Sequence, residues 1–239
     1  MKKIYPNMLW FLLLTVVQIA TAQQVTRAAA PENPEPLKYL TSHFGYMGPV
    51  KSAVNMSFDK IGRITLIKGE PDQTFNYLKD KIIVNQYGKT FHYALNEKNQ
   101  ITGWVIPGSK EMGLYTYDKA GNLIEVKEIY KDYVEKFTYT YDANKRVISK
   151  SEWYNGRLSR VDNYSYEGNA ENLMLTKEIA GDRSSRGFYY YKNGVLVDYV
   201  YDYNGASNME QVKTDSYGNV ISYADPTYGE DVIIEISYY

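Results

Sequence analysis

Cysteine is missing from all 239 residues, histidine occurs only at positions 43 and 92, and neither sign of charge prevails. Each shortage removes a class of chemistry. Without cysteine there are no disulfide staples, so stability must come from buried area alone. Two histidines 49 residues apart, with no thiols, do not supply the closely spaced Cys/His set of a zinc site. No Gly-x-Ser-x-Gly segment frames a nucleophile for either one. No catalytic residue, metal ligand or cofactor is therefore assigned. The 27 basic and 28 acidic residues form no basic stripe, which disfavours a nucleic-acid partner.

Long apolar runs are scarce too. The one present lies at the start, from Met8 to Ile19, interrupted only by Thr15 and Gln18. Lys2 and Lys3 precede it, and Ala20-Thr21-Ala22 follows as a small-x-small cleavage site. This is the layout of a secretory signal peptide over residues 1–22. The run is shorter than the roughly 20 apolar residues of a spanning helix, so no membrane span is expected after cleavage. A lipid anchor would need a cysteine just after the cleavage point, where Gln23 stands. Residues 23–47 read as a flexible linker with a short lead-in. Ala28-Ala29-Ala30-Pro31 and Pro34-Glu35-Pro36 show no apolar period, and 36–45 has room for one short helix at most. A single domain is expected over 48–239, exported to the periplasm, the cell surface or the outside. That length can bury a core without staples.

What the chain does have is tyrosine, 26 in all. Aromatic and β-branched residues favour strands, and tyrosine suits a half-wet sheet face, ring packed and hydroxyl hydrated. The tyrosines fall in a recurring pattern. Tyr115-Thr116-Tyr117-Asp118-Lys119-Ala120-Gly121-Asn122-Leu123-Ile124 is its fullest copy; Tyr139-Thr140-Tyr141-Asp142 opens another, and Asp215-Ser216-Tyr217-Gly218-Asn219-Val220-Ile221 closes a third. Asp-x-x-Gly between strands fits a type I turn whose first carboxylate accepts backbone N–H groups and whose fourth residue is left-handed. Asp59 with Gly62, Asp118 with Gly121 and Asp215 with Gly218 should each make such a tip. Asn96 with Asn99 fits, since asparagine tolerates left-handed geometry. Asp142 with Lys145 breaks the rule: either Lys145 is strained or the turn differs. Asn155-Gly156, Asn193-Gly194 and Asn204-Gly205 are two-residue hairpin signals, and Asp80-Lys81 sits in an equivalent place.

The turn openers Asn96, Asp118, Asp142, Glu167, Lys192 and Asp215 are 22, 24, 25, 25 and 23 residues apart. A period near 24 holds two strands and two turns, the mark of a repeat protein. Alternation agrees: Phe137, Tyr139 and Tyr141 share one face, Lys136, Thr138 and Thr140 the other. The expected fold is all-β, antiparallel hairpin repeats of a dozen or more strands. Open twisted sheets rarely exceed about 10 strands without curling or splitting, so a curled meander sheet, shell or barrel-like layer follows. Val232 to Tyr239 reads as a last strand capping the edge.

Tyr-x-Tyr-Asp-x-x-Gly-Asn-Leu-Ile resembles the YD repeat of the RHS-like family. Gly48-Pro49-Val50-Lys51-Ser52-Ala53 with Phe58-Asp59-Lys60-Ile61-Gly62-Arg63 is similar to the opening unit of small exported bacterial YD-repeat proteins. The resemblance covers about 48–239 and implies β-hairpins wound into a spiral or shell. In the large relatives that shell encloses a cargo domain. This chain has no room for cargo and lacks their core segment and self-cleavage region, so that role is not carried over.

The aromatics carry the sharpest functional expectation. Sugar rings stack on flat exposed aromatics, and Trp104, Trp153, Tyr154, Tyr189 and Tyr191 are the candidate binding residues. The expected role is a non-enzymatic binding or interaction module at the cell envelope, its partner a glycan, another envelope component or a protein. One alternative is an outer-membrane β-barrel. It needs strands with an unbroken lipid-facing band, and in Leu123 to Tyr130, Glu125 and Lys127 occupy one face while Glu128 interrupts the other. Another is a hydrolase with a carboxylate pair, although Asp59, Asp118, Asp142 and Asp215 have turn duties and Glu125, Glu128, Glu135 and Glu152 read as solvated strand charges.

Overall fold

The computed structural model describes residues 33–169, 171–181, 185–202, 205–226 and 228–239. The expected leader at 1–22, the linker up to residue 32, and Asn204 lie outside the described residues. Among those described, nineteen strands and one short 3-10 turn, Thr41–Phe44, make up the fold. The strands open with β1 (Val50–Ala53), β2 (Met56–Phe58), β3 (Ile64–Ile67), β4 (Gln73–Tyr77), β5 (Lys81–Gln86), β6 (Lys89–Leu95) and β7 (Ile101–Val105). Next come β8 (Met112–Tyr117), β9 (Leu123–Ile129), β10 (Val134–Tyr141), β11 (Val147–Tyr154), β12 (Arg157–Gly168), β13 (Asn172–Gly181), β14 (Ser185–Lys192) and β15 (Val195–Tyr201). The chain closes with β16 (Glu210–Thr214), β17 (Val220–Asp225), β18 (Glu230–Ile233) and β19 (Ile236–Tyr238).

β1 to β15 form one antiparallel meander, each strand paired with its chain neighbours, and β19 pairs with β1 to make a 16-stranded sheet. β16, β17 and β18 form a separate three-stranded sheet. The large sheet is all-β, antiparallel and open, as the hairpin repeat predicts in class. The terminal segment differs from a single capping strand. It breaks at Ile234-Glu235, giving β18 to the small sheet and β19 to the edge of β1.

Alternation makes one face of the meander the core. Ile82, Val84, Tyr93, Ile101, Trp104, Tyr115, Leu123 and Val126 form its central cluster. Val50, Ala53, Phe58 and Ile64 form a second at one end, and Val147, Tyr164 and Leu175 a third towards the other. The opposite, outer face carries Glu125, Lys127, Lys136, Thr138, Ser149 and Ser151 around the middle of the sheet.

One turn recurs along one rim of the sheet, at four of its hairpin tips. At each tip one side-chain oxygen accepts two backbone N–H groups. Asp59 Oδ1 takes those of Ile61 and Arg63 at 3.1 and 2.9 Å. Asn96 Oδ1 takes those of Lys98 and Gln100, both at 2.9 Å, and Asp142 Oδ1 those of Asn144 and Arg146, both at 2.9 Å. The tip at Asp118 closes onto the Asn122 N–H at 2.8 Å. A register shift follows at Leu95, Tyr117 and Tyr141, the bulge that such a turn requires. The fourth residue is left-handed in every case, including Lys145 at φ 61°. Lys145 therefore accepts the strain and the turn type is unchanged. The residue after the tip reaches back: Arg63, Asn122 and Arg146 each donate to the carboxylate that opens their own turn.

Two expected turn positions shift, and a third turn falls in the small sheet. The two-residue loop after β4 is Lys79-Asp80, one residue earlier than expected, since Leu78 pairs with Lys81. Glu167 lies inside β12; the tip there opens at Asn169, whose Oδ1 accepts from Glu171 and Asn172 N–H groups at 2.9 and 3.0 Å. Asp215 makes the expected turn with Gly218, but between strands of the small sheet. Asn155-Gly156 and Asn193-Gly194 are left-handed pairs as expected, and Tyr87-Gly88 is a further one.

A tyrosine clasp links successive hairpins. The hydroxyl of Tyr77 donates to the Ile64 carbonyl at 2.7 Å. Tyr117 donates to Ile101 at 2.8 Å, Tyr141 to Leu123 at 2.6 Å and Tyr166 to Val147 at 2.9 Å. The rings stay in the core while each hydroxyl satisfies a backbone carbonyl beside the register shift.

Part of the expected flexible linker is instead a strap on this core. Asn33 bonds the Lys145 carbonyl and the Val147 N–H, both at 2.8 Å. Leu37 and Tyr39 pack on the central cluster, and the Ile64 N–H donates to the Tyr39 carbonyl at 2.8 Å. The six residue steps from Asn33 to Tyr39 reach about 22 Å when extended. Eight strand spacings, from β11 to β3, measure about 38 Å along a sheet. The sheet must therefore curl, and the strap crosses inside the curl. His43 anchors its end; its Nδ1 accepts the Tyr39 N–H at 3.3 Å, and burial, then Lys38, lowers its pKa to about 4.

Two measurements check this account. Gly121 is left-handed at φ 88°, so Gly121→Ala should cost about 1–2 kcal/mol, whereas Lys145→Gly should raise the melting temperature. The second concerns pH. Between 6.5 and about 4 the unfolded chain takes up a proton that folded His43 refuses, so stability falls as pH drops through this window. The contribution is on the order of 3 kcal/mol. Glu35, raised by burial, works in the opposite sense. Urea unfolding from pH 7 to 4 should show a shallower slope for His43→Gln than for the parent chain.

Candidate functional site

The pairing of six neighbouring strands sets up one row across the inner face. Tyr93 on β6 lies opposite Trp104 on β7, which lies opposite Gly113 on β8. Gly113 pairs with Glu128 on β9, Glu128 with Glu135 on β10, and Glu135 with Tyr154 on β11. Directly opposed side chains on one face stand about 4.5–5.5 Å apart at Cβ, so the row is continuous. Its chemistry runs from buried aromatic to paired carboxylates to exposed tyrosine.

Gly113 is the notch that makes the arrangement work. A Cβ there would lie 2.2 Å from Trp104 Nε1 and 2.5 Å from its Cδ1. Because glycine leaves that space, the indole lies across β8 and donates to Glu128 Oε1 at 3.2 Å. The other oxygen of Glu128 accepts the Tyr130 hydroxyl at 2.7 Å. Burial, then this hydrogen bond, pushes the Tyr130 phenol well above its ordinary range. Glu135 is different. It has no hydrogen bond or ion pair among the described residues, and burial, then Glu128, then Glu152 raises its carboxyl.

At the rim, the β9–β10 hairpin turns on Lys131-Asp132, with the Tyr130 N–H bonded to the Tyr133 carbonyl at 2.9 Å. The rings of Tyr130 and Tyr133 stack at 4.5 Å between centroids, and Tyr133 stacks on Tyr154 at 5.4 Å. Trp104 approaches the other side of Tyr130 at 6.1 Å. Tyr154 ends this stack and is 49% exposed. Asn155 holds the two tips together: its Oδ1 accepts the Val134 N–H and its own N–H donates to the Val134 carbonyl, both at 2.9 Å.

Deeper along β11 and β12 the same face becomes a charged belt. Lys150 pairs with Glu152 at 2.7 Å and lies over the Phe137 ring. Arg160 grips the nearly fully buried Asp162 carboxylate at 2.6 and 3.0 Å, with Lys177 3.9 Å away. These side chains line a cavity of about 310 Å³ roofed by Pro34 and Glu35.

The residues singled out from sequence divide accordingly. Trp104 is only 4% exposed, so it presents no ring face to solvent; its value lies in orienting Glu128. Trp153 lies on the outer face under the Lys136 ammonium, at 4.9 Å, and its indole N–H has no acceptor. Tyr154 is exposed and central. Tyr189 and Tyr191 are on the inner face but three strands away, packed on the Val147–Tyr164–Leu175 cluster. The structure thus joins Trp104 to Tyr154 through residues outside that candidate set: Gly113, Glu128, Tyr130, Tyr133 and Glu135. Of the four glutamates read as solvated, Glu125 alone points outward; Glu128, Glu135 and Glu152 face in. The signal for the pair was present: a loop at 131–132 forces residues 128 and 135 opposite one another. Among the described residues, no group of three or more His, Asp or Glu side chains is placed to hold a metal.

No family model matches the chain, and no curated protein does. Among solved structures, a porin-like protein from Bacteroides uniformis aligns with 81% of this chain and 99% of its own, at a TM-score of 0.42 and 11% identity. A porin-like protein from Bacteroides vulgatus aligns with 80% and 99%, at 0.40 and 13%.

Gly113→Ala tests the construction of the site. The added methyl must displace the Trp104 ring, and overpacking of this kind costs about 1–3 kcal/mol. Tryptophan emission should shift to the red in the folded variant; an unchanged spectrum and stability would show that the indole does not depend on the notch.

Proposed function

We propose that this chain is an exported, non-enzymatic binding module of the cell envelope, akin to the YD-repeat proteins its tips resemble, and that its inner rim binds glycan. The observation that carries this reading is the stack Tyr130–Tyr133–Tyr154, ending in a half-exposed ring held by Asn155. A ring already ordered by its neighbours loses little conformational freedom when a sugar packs on it. The polar belt beyond it supplies donors and acceptors for hydroxyl groups. The outer face, with Glu125, Lys127 and Lys136 at its centre, speaks against a lipid-facing barrel wall.

The Glu128–Glu135 pair supports a second reading, glycosidic hydrolysis. Opposed carboxyls suit paired-carboxylate catalysis, the raised one serving as the acid, and here Glu128 and Glu135 are direct cross-strand partners with Glu135 the raised one. New reducing ends released from a bound glycan, and lost in Glu135→Gln, would establish it.

The binding reading is checked on a glycan array with the mature chain. Tyr154→Ala should weaken any interaction about tenfold, near the upper end of what one aromatic contact contributes. Trp153→Ala, on the outer face, should leave it unchanged. Equal loss in both variants, or no glycan bound at all, would refute the assignment to the inner rim.

A further inference from the structure

We infer that the glycan bound at this rim carries free ammonium groups, as in a glucosamine oligosaccharide, with the Glu128–Glu135 pair and the tyrosine stack together forming the receptor. This rests on the glycan reading above and specifies its ligand. The starting point is an uncompensated cost. Glu128 and Glu135 stand directly opposite one another on one face of adjacent strands, and like charges in that position destabilise a sheet. The fold relieves it on one side only. Glu135 has no partner among the described residues, and Glu128 is gripped only by two neutral donors, the Trp104 indole and the Tyr130 hydroxyl.

No basic side chain makes an ion pair with either carboxylate among the described residues, although Arg157 lies opposite Tyr154 at the end of the same row and Lys131 sits in the loop between β9 and β10. Lys150 is paired with Glu152 and covers Phe137. Lys89 is paired with Glu111. Lys127 and Lys136 point to the outer face, the latter over Trp153. The two carboxylates therefore face one another at the rim without an ion-pair partner among the described residues. Burial and two neighbouring carboxylates displace the Glu135 carboxyl upward, and a cation brought beside it would favour its ionised form.

The aromatic component separates an ammonium-bearing sugar from a bare metal ion. A metal ion would make no use of stacked rings, whereas an ammonium gains from the face of a tyrosine or tryptophan. Tyr154 is the direct cross-strand neighbour of Glu135. A pyranose packed on the exposed Tyr154 ring would place a ring-borne ammonium about one side-chain spacing, 4.5–5.5 Å, from the Glu135 position. Hydrophobic stacking and charge recognition thus fall on adjacent members of one row. An N-acetylated sugar would stack equally but leave the carboxylates unpaired.

The test is calorimetric titration of the mature chain at low salt with three probes of equal length: a glucosamine oligomer, its fully N-acetylated counterpart and a lysine oligomer. The glucosamine oligomer should bind at least tenfold more tightly than the acetylated one, and added salt should erode the difference. Glu135→Gln should abolish the preference while retaining the acetylated oligomer. It should also melt no lower than the parent chain, since it removes a like-charge contact. Equal affinity for both sugars would overturn the inference and leave the glycan reading intact. Binding of neither sugar would overturn both. Lysine oligomer binding as tight as that of glucosamine, and insensitive to Tyr154→Ala, would show that the charge is read without the sugar and would also overturn it.

Discussion

The structure depends on one small arrangement: a side-chain oxygen at the hairpin tip that accepts two backbone N–H groups while the fourth residue turns left-handed. It recurs at Asp59, Asn96 and Asp142 with nearly identical distances. Its importance is register. A slip of one residue in a strand would exchange the two faces, moving Tyr139 out of the core and Lys136 into it. With no disulfides to hold the hairpins, these carboxylates and amides do that work at each step. Beside the bulge that accompanies each tip, the tyrosine of a following strand satisfies a backbone carbonyl. Turn, bulge and clasp form one unit, and the meander is that unit repeated with variations.

Curvature comes from a second source. Pairing and twist alone do not decide how tightly sixteen strands wind. The strap sets a bound on it, because a segment of six residue steps tied to β11 at one end and β3 at the other is shorter than the flat sheet it would cross. It gathers the middle of the meander and turns a two-faced layer into an inside and an outside. That difference gives the rim its character: Tyr154, Glu135 and Glu128 occupy a concave edge rather than an open plane. Within that edge the row departs from what stability alone would select. It opposes two carboxylates and spends a strand position on glycine so that an indole can cross to one of them. These departures are what single out the row as the candidate site.

The legible part of the fold was the part written locally. Asp118 to Gly121 reads as a tip because carboxylate and glycine have fixed duties in that turn, and Phe137, Tyr139 and Tyr141 read as one face because strand period is two. Glu167 misled because the true opener, Asn169, follows two residues later, and spacing alone does not separate them. Trp104 misled for another reason. Nearness to a turn says nothing about burial, and the notch at Gly113 that covers its ring lies on the next strand.

The sequence by itself determined the antiparallel hairpins, their faces and most of their tips, since each needs only residues within about ten positions of one another. It also contained the opposition of Glu128 and Glu135, which follows from a two-residue loop. Tertiary structure decided the rest. The strap across the curled sheet joins residues 33 and 147, and the row from Trp104 to Tyr154 needs four strand pairings in register at once. A site assembled across strands acquires its neighbours from hydrogen-bond pairing rather than from chain order. For that reason its members were visible singly in the sequence and only the folded sheet made them a site.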